Sequence, residues 1–72
     1  MTNKINYREE FERMTGLKVR FYLGVLTVRE DGSYTGYRVS ASDGKCYVME
    51  TDSTGRATRV VKSRVWMEER GW

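Results

Sequence analysis

The residues best suited to chemistry in this chain of 72 residues are cations and aromatic rings. Four cations and no acid fall within the nine residues from Arg56 to Arg64, the other two cations being Arg59 and Lys62. A cluster of Lys and Arg attracts anions and is the usual electrostatic footprint of nucleic-acid binding. If the protein binds nucleic acid, we therefore predict that Arg59, Lys62 and Arg64 supply phosphate contacts.

Tyrosines that lie beside arginines form the second candidate set. In an alternating strand Arg20 and Tyr22 share one face, and so do Tyr34 and Arg38. A ring for base stacking beside a cation for phosphate is what the binding of single-stranded nucleic acid requires. These four residues are the next predicted contacts. The alternative is that the tyrosines cover the exterior of the fold or form a subunit interface, where Tyr is also enriched.

The sequence offers no ordinary catalytic or metal site. It contains no His, which removes the usual general base, and its one cysteine, Cys46, has no partner for a disulfide or for zinc. Cys46 is expected to be a small buried apolar residue. The acids suit helix starts and turns. We predict no enzymatic activity, no catalytic residue, no metal and no cofactor.

One short helix is predicted near the start of the chain, over residues 7–15. Asn6 and Glu9 form a capping-box pattern, and Gly16 suits a left-handed helix end. One face of this helix carries the apolar residues Tyr7, Phe11 and Met14.

From residue 17 onward the apolar period is two, which is typical of strands. Gly24 interrupts the first strand as a bend or bulge, and Asp-Gly turn signals follow at 31–32 and 43–44, with a longer turn at 52–55. We interpret 56–61 and 64–68 as two more short strands that are joined by a tight corner, and 69–72 as a loose tail.

These elements predict a single domain over residues 1–72, mainly β with one short N-terminal helix. The expected architecture is a small antiparallel barrel of five or six strands, of the SH3 or Sm-like type, over about residues 17–68. Closure removes the edge strands that invite aggregation.

The run Asp31-Gly-Ser-Tyr-Thr-Gly-Tyr-Arg-Val39 resembles the glycine-bearing, strongly bent second strand of Sm-like proteins, which include bacterial Sm-type RNA chaperones. Asp43 stands where that pattern has an Asp, and residues 62–65 stand where the family often places its second motif. Segments 45–48 and 56–64 are similar to the barrel of WYL domains. The resemblance implies a small barrel with a nucleic-acid-binding or transcript-regulating role.

Two classes of partner remain open at this point. One is single-stranded nucleic acid. The other is a host protein, bound by a small inhibitor or adaptor of the kind that a phage or another mobile element encodes against a host machine. Trp66 is expected to be a core plug or an interface anchor, and Trp72 a contact residue for a protein partner.

Location and assembly follow from size and composition. No apolar run resembles a signal peptide or a membrane span, so a cytoplasmic protein without a membrane partner is expected. A domain of this size buries a small share of its surface, which favours self-association. The predicted pairing edges are residues 45–51 and 56–61.

Overall fold

The structure is a computed structural model that describes residues 6–28, 30 and 34–71, with side chains described for these except at 26–28, 34 and 35. Its elements, in chain order, are helix α1 (Tyr7–Thr15), strands β1 (Val19–Val28), β2 (Tyr34–Ala41), β3 (Cys46–Thr51) and β4 (Ala57–Lys62), and helix α2 (Ser63–Glu69).

Helix α1 is confirmed, with Asn6 and Gly16 at its ends and with Arg8 rather than Glu9 as the hydrogen-bond partner of Asn6. The Asn6 side chain accepts a hydrogen bond from the Arg8 backbone N–H at 2.9 Å. Gly16 ends the helix with φ at 74°, in the left-handed region that favours glycine. Of the predicted apolar face, Phe11 is fully buried and Tyr7 packs against the core, whereas Met14 is exposed.

The four strands form one antiparallel sheet in the order β1-β2-β3-β4. The sheet is open, with β1 and β4 at its edges, so the predicted closed barrel of five or six strands is wrong. The predicted last strand, 64–68, lies instead in α2. Ser63 and Trp66 are its buried residues, and that spacing of three fits a helix turn rather than an alternating strand.

The two helices cover opposite faces of the sheet. Met49 belongs to the core under α1, whereas its neighbour Glu50 accepts a hydrogen bond from Trp66 of α2. Consecutive strand residues point to opposite faces, so α1 and α2 lie on different sides. The core under α1 is built from Phe11, Val39, Ala41, Met49 and Ala57.

The edges of the sheet differ from those expected. Strand β3 lies between β2 and β4, so residues 45–51 do not offer a pairing edge. Residues 57–61 do lie in the edge strand β4, and β1 is the second edge. The register of β1 is irregular between Tyr22 and Gly24, which confirms the bulge predicted at Gly24. Self-association stays a prediction.

The predicted tail begins inside an element, because Glu69 ends α2 and Arg70 lies against Trp66. Trp72 lies outside the described residues. Neither α1 nor α2 has the length and apolar character needed to cross a membrane.

Candidate functional site

The positive charge of residues 56–64 is partly neutralised by carboxylates from other parts of the chain. Both outer nitrogens of Arg59 donate to the Glu69 carboxylate, with Nη1 2.9 Å from Oε1, and Nη1 is also 3.7 Å from Glu50 Oε2. The contact with Glu69 raises the pKa of Arg59 and lowers the pKa of Glu69. Arg59 is therefore engaged within the fold, and we leave it out of the site proposed below.

Trp66 is the centre of the contacts between α2 and the sheet. The residue is fully buried, and its Nε1 donates to Glu50 Oε2 at 2.8 Å. The Arg70 guanidinium lies 3.7 Å from the centroid of the Trp66 ring and donates to the same Glu50 oxygen at 3.1 Å. Of the two sequence interpretations of Trp66, the structure supports the core plug, because a buried ring presents no surface to a partner.

Several of the other cations surround one concave surface on the α2 side of the molecule, which we call the basic pocket. It is a depression of about 650 Å³ that lies between strands β2 and β3, the end of β4 and helix α2. Its lining residues are Arg38, Lys45, Cys46, Lys62, Ser63, Arg64, Met67 and Glu68. Four cations against one acid leave the basic pocket with a surplus of three positive charges.

The single acid of the pocket does little to neutralise it. Arg64 Nε lies 3.7 Å from Glu68 Oε1, and both side chains are mostly exposed. Water screens exposed pairs of this kind, and their contribution to stability is small. Arg64 can therefore turn toward an anion at little cost.

Two buried polar atoms in the pocket have no hydrogen-bond partner. They are Arg38 Nε and the Ser63 hydroxyl, and no other buried side-chain nitrogen or oxygen of the described residues lacks one. Arg38 lies in the sheet opposite Gly24 and Val48, and Ser63 is the first residue of α2. A buried donor without an acceptor costs about 1–3 kcal/mol, so such atoms usually have a ligand or water as partner.

Cys46 also lines the pocket. It is a free cysteine and half-buried, less enclosed than the sequence interpretation expected. Within the described ranges, no group of three or more His, Cys, Asp and Glu residues could hold a metal ion.

The predicted aromatic contacts are split between the two faces. Tyr22 joins Tyr7 and Tyr37 in a cluster on the α1 face, with ring centroids 5.5 Å apart for Tyr7 and Tyr22 and 5.7 Å apart for Tyr7 and Tyr37. The pocket lies on the other face, so Tyr22 and Arg38 do not form one platform. The Tyr34 side chain is outside the described set.

Phe21 is the aromatic ring that the sequence analysis missed. Strict alternation would place Phe21 on the face opposite to Arg20 and Tyr22, but its ring is 58% exposed, and the Arg20 guanidinium lies 5.3 Å from its centroid. The register shift between Val19 and Phe21 explains the error, because a bulge changes the alternation of side chains.

The bulge places Phe21 on the same face as the pocket. Phe21 lies opposite Ser40, and Ser40 lies opposite Cys46 of the pocket lining. Two strand spacings separate Phe21 from Cys46, a distance of about 10 Å.

Lys45 and Ser63 also escaped the sequence analysis. The β2–β3 hairpin brings Lys45 close to the junction of β4 and α2, where Ser63 lies. Because the sequence pattern predicted a strand in place of α2, it did not predict this proximity.

Comparisons of this chain with protein-family models, with curated proteins and with solved structures find no match.

Proposed function

We propose that the protein is a small non-catalytic module that binds single-stranded nucleic acid through the basic pocket. The observation that carries this proposal is the convergence of Arg38, Lys45, Lys62 and Arg64 on one concave surface that has a single acid. A cleft lined by one sign of charge concentrates the opposite charge from solution, and a nucleic-acid backbone carries that charge at every phosphate.

Phe21 adds a surface for base stacking. Its exposed ring lies on the pocket face, about 10 Å from Cys46 by strand spacing, and Arg20 covers part of the ring. Stacking on an aromatic ring is tolerant of sequence, because every base has a flat face. The resemblance of residues 31–39 to the second strand of Sm-like proteins supports a role in transcript regulation.

Neutralising the pocket is expected to weaken this binding and to reduce its dependence on salt. We expect Lys62→Gln combined with Arg64→Gln to weaken the binding of a labelled single-stranded oligonucleotide about tenfold at low salt. The slope of log affinity against log salt should flatten by about 1.4, because each lost phosphate contact on a single strand removes about 0.7. Fluorescence anisotropy over a salt series measures both effects.

The matched control removes the same charge from elsewhere on the molecule. Arg8 and Lys18 are exposed and lie at the start of α1 and just before β1, away from the pocket lining. Arg8→Gln combined with Lys18→Gln should leave the salt slope close to that of the parent. Equal losses in the two double variants would mean that net charge, rather than the pocket, governs binding.

Removing the ring at position 21 tests the stacking surface. Phe21→Ala should weaken binding by about 1–3 kcal/mol, the usual contribution of one stacked base. Leu23→Ala is the control, since Leu23 is also an exposed apolar residue of β1 but has no flat ring. Equal affinities of the Phe21→Ala and Leu23→Ala variants would rule out stacking on Phe21.

A second function is favoured by the exposed edge of the sheet. Phe21, Tyr22 and Leu23 are consecutive exposed residues of the edge strand β1. An exposed apolar edge can add a strand from another protein, as a small inhibitor or adaptor does, or from a second copy of this chain. If the parent shows no salt-dependent binding to any nucleic acid, this function takes the place of the first.

A further inference from the structure

We infer that the basic pocket holds the terminal phosphate group of a nucleic-acid strand and binds it in preference to an internal phosphate. This inference rests on the proposed function and specifies which part of the strand enters the site. It starts from the depth of the two unpartnered polar atoms in the pocket.

The two atoms belong to residues of different elements, and both residues line the same depression. Arg38 Nε lies on β2 and the Ser63 hydroxyl lies at the start of α2, and both are buried without a partner. Ser63 as a whole is only 6% exposed. The hydroxyl hydrogen can rotate toward an acceptor, and the Nε–H of Arg38 is a fixed donor. Once neighbouring side chains shift to admit a ligand, the two atoms can donate two hydrogen bonds to an oxygen-rich group.

A terminal phosphate fits these donors better than an internal one. An internal phosphate has a sugar on each side, so the chain must leave the pocket in two directions. A terminal phosphate projects from its strand, and three of its oxygens are free to accept hydrogen bonds. It can therefore enter the depression further than a phosphate that is held by a sugar on each side.

The charge of the pocket favours the same group. A phosphate monoester carries about −1.5 to −2 charges at pH 7, whereas an internal phosphate carries one. The four cations and one acid of the pocket leave three positive charges to be matched. The group with the higher charge gains more from each of them.

Ser63→Ala is the variant that isolates this role. The Ser63 hydroxyl has no partner within the protein, so its removal leaves no group unsatisfied and the variant is expected to fold as the parent does. Ser53→Ala is the control, because Ser53 is an exposed residue in the turn between β3 and β4.

The experiment compares one oligonucleotide sequence with three kinds of end: a 5′-phosphate, a 3′-phosphate, or hydroxyls at both ends. The full chain is expected to bind one of the phosphorylated strands about tenfold more tightly than the hydroxyl strand, and inorganic phosphate should compete for that strand. Ser63→Ala should remove most of this preference, so that the affinities for the phosphorylated and hydroxyl strands become similar, since one charge-assisted hydrogen bond accounts for a factor of about ten. Ser53→Ala should keep the preference.

Three other outcomes would count against the inference. Salt-dependent binding that is equal for all three strands would overturn it and leave the proposed function standing. A preference for phosphorylated ends that survives in Ser63→Ala and in Arg38→Gln would show that the end binds elsewhere, and would also overturn it. A parent that binds none of the strands would overturn the proposed function and this inference together.

Discussion

Replacing Trp66 with alanine is expected to lower the free energy of unfolding by about 4 kcal/mol, the usual loss when a fully buried Trp is truncated. A chain of 72 residues has a stability of about 4–11 kcal/mol, so the substitution would remove between about a third and all of it. Trp66 is large and has no exposed surface, and its removal also leaves Glu50 without the Nε1–H donor. Urea unfolding followed by circular dichroism measures the change.

Two further variants, one at Trp66 and one at Val65, show whether the loss of stability comes from the buried ring. Trp66→Phe keeps most of the apolar volume but loses the hydrogen bond to Glu50, so it should cost less than Trp66→Ala. Val65→Ala alters the next residue of α2, which is 37% exposed, and should cost less than about 1 kcal/mol. Similar losses for Trp66→Ala and Val65→Ala would contradict the packing of α2 on the sheet.

The second large effect is expected at Glu10, a buried carboxylate that joins α1 to β4. Its Oε1 accepts hydrogen bonds from the Ala57 backbone N–H and from Arg13 Nη2, each at 2.9 Å, and Arg56 Nε lies 3.9 Å away. We expect Glu10→Gln to destabilise the protein by about 2 kcal/mol at pH 7. The reason is that a neutral amide oxygen replaces the charged acceptor of the hydrogen bonds from Arg13 and from the Ala57 backbone, and hydrogen bonds to a charged group are stronger.

The stability lost in Glu10→Gln should be larger at neutral pH than in acid. The hydrogen bond from Arg13, followed by that from Ala57, lowers the pKa of Glu10 from its usual 4.5 to about 2. Because the pKa is lower in the folded state, this carboxylate stabilises the fold fully above pH 4.5, and the contribution is lost as the pH falls to about 2. The shift sets an upper limit of about 3 kcal/mol, and the exposure of Arg13 to solvent reduces it.

Chemical unfolding of the parent and of Glu10→Gln between pH 2 and pH 7 tests this dependence. The stability difference between the two proteins should be largest near neutral pH and should nearly vanish at pH 2. Glu9→Gln is the control on the same helical turn, because Glu9 is exposed. A difference that stays constant over the whole pH range would show that Glu10 acts through its shape rather than its charge.

The sequence predicted the elements that depend on local signals. The Asn6 and Gly16 caps bounded α1, and the Asp43-Gly44 turn placed the boundary between β2 and β3. Helix α2 was missed because Val65 and Trp66 are adjacent apolar residues that fit a short strand as well as a helix. Only the packing of Trp66 on the sheet distinguishes the two.

The sequence predicted the types of residue in the candidate site better than it predicted which of them lie together. The cations Arg38, Lys62 and Arg64 were selected from the sequence and do line the pocket. Arg59 was selected with them because no acid is near it in sequence, yet Glu69 reaches it across the fold. A local charge count cannot detect a pair whose members are ten residues apart on different elements.

The contact between Glu10 and Ala57 also determines when the fold can be completed during synthesis. The two residues are 47 positions apart, whereas each strand pairs with its neighbour in the chain. The hairpins can therefore close as soon as their strands leave the ribosome, but Glu10 has no backbone partner until residue 57 has emerged. A nascent chain that stalls before β4 thus holds α1 only through the apolar contacts of Tyr7 and Phe11 with the first three strands.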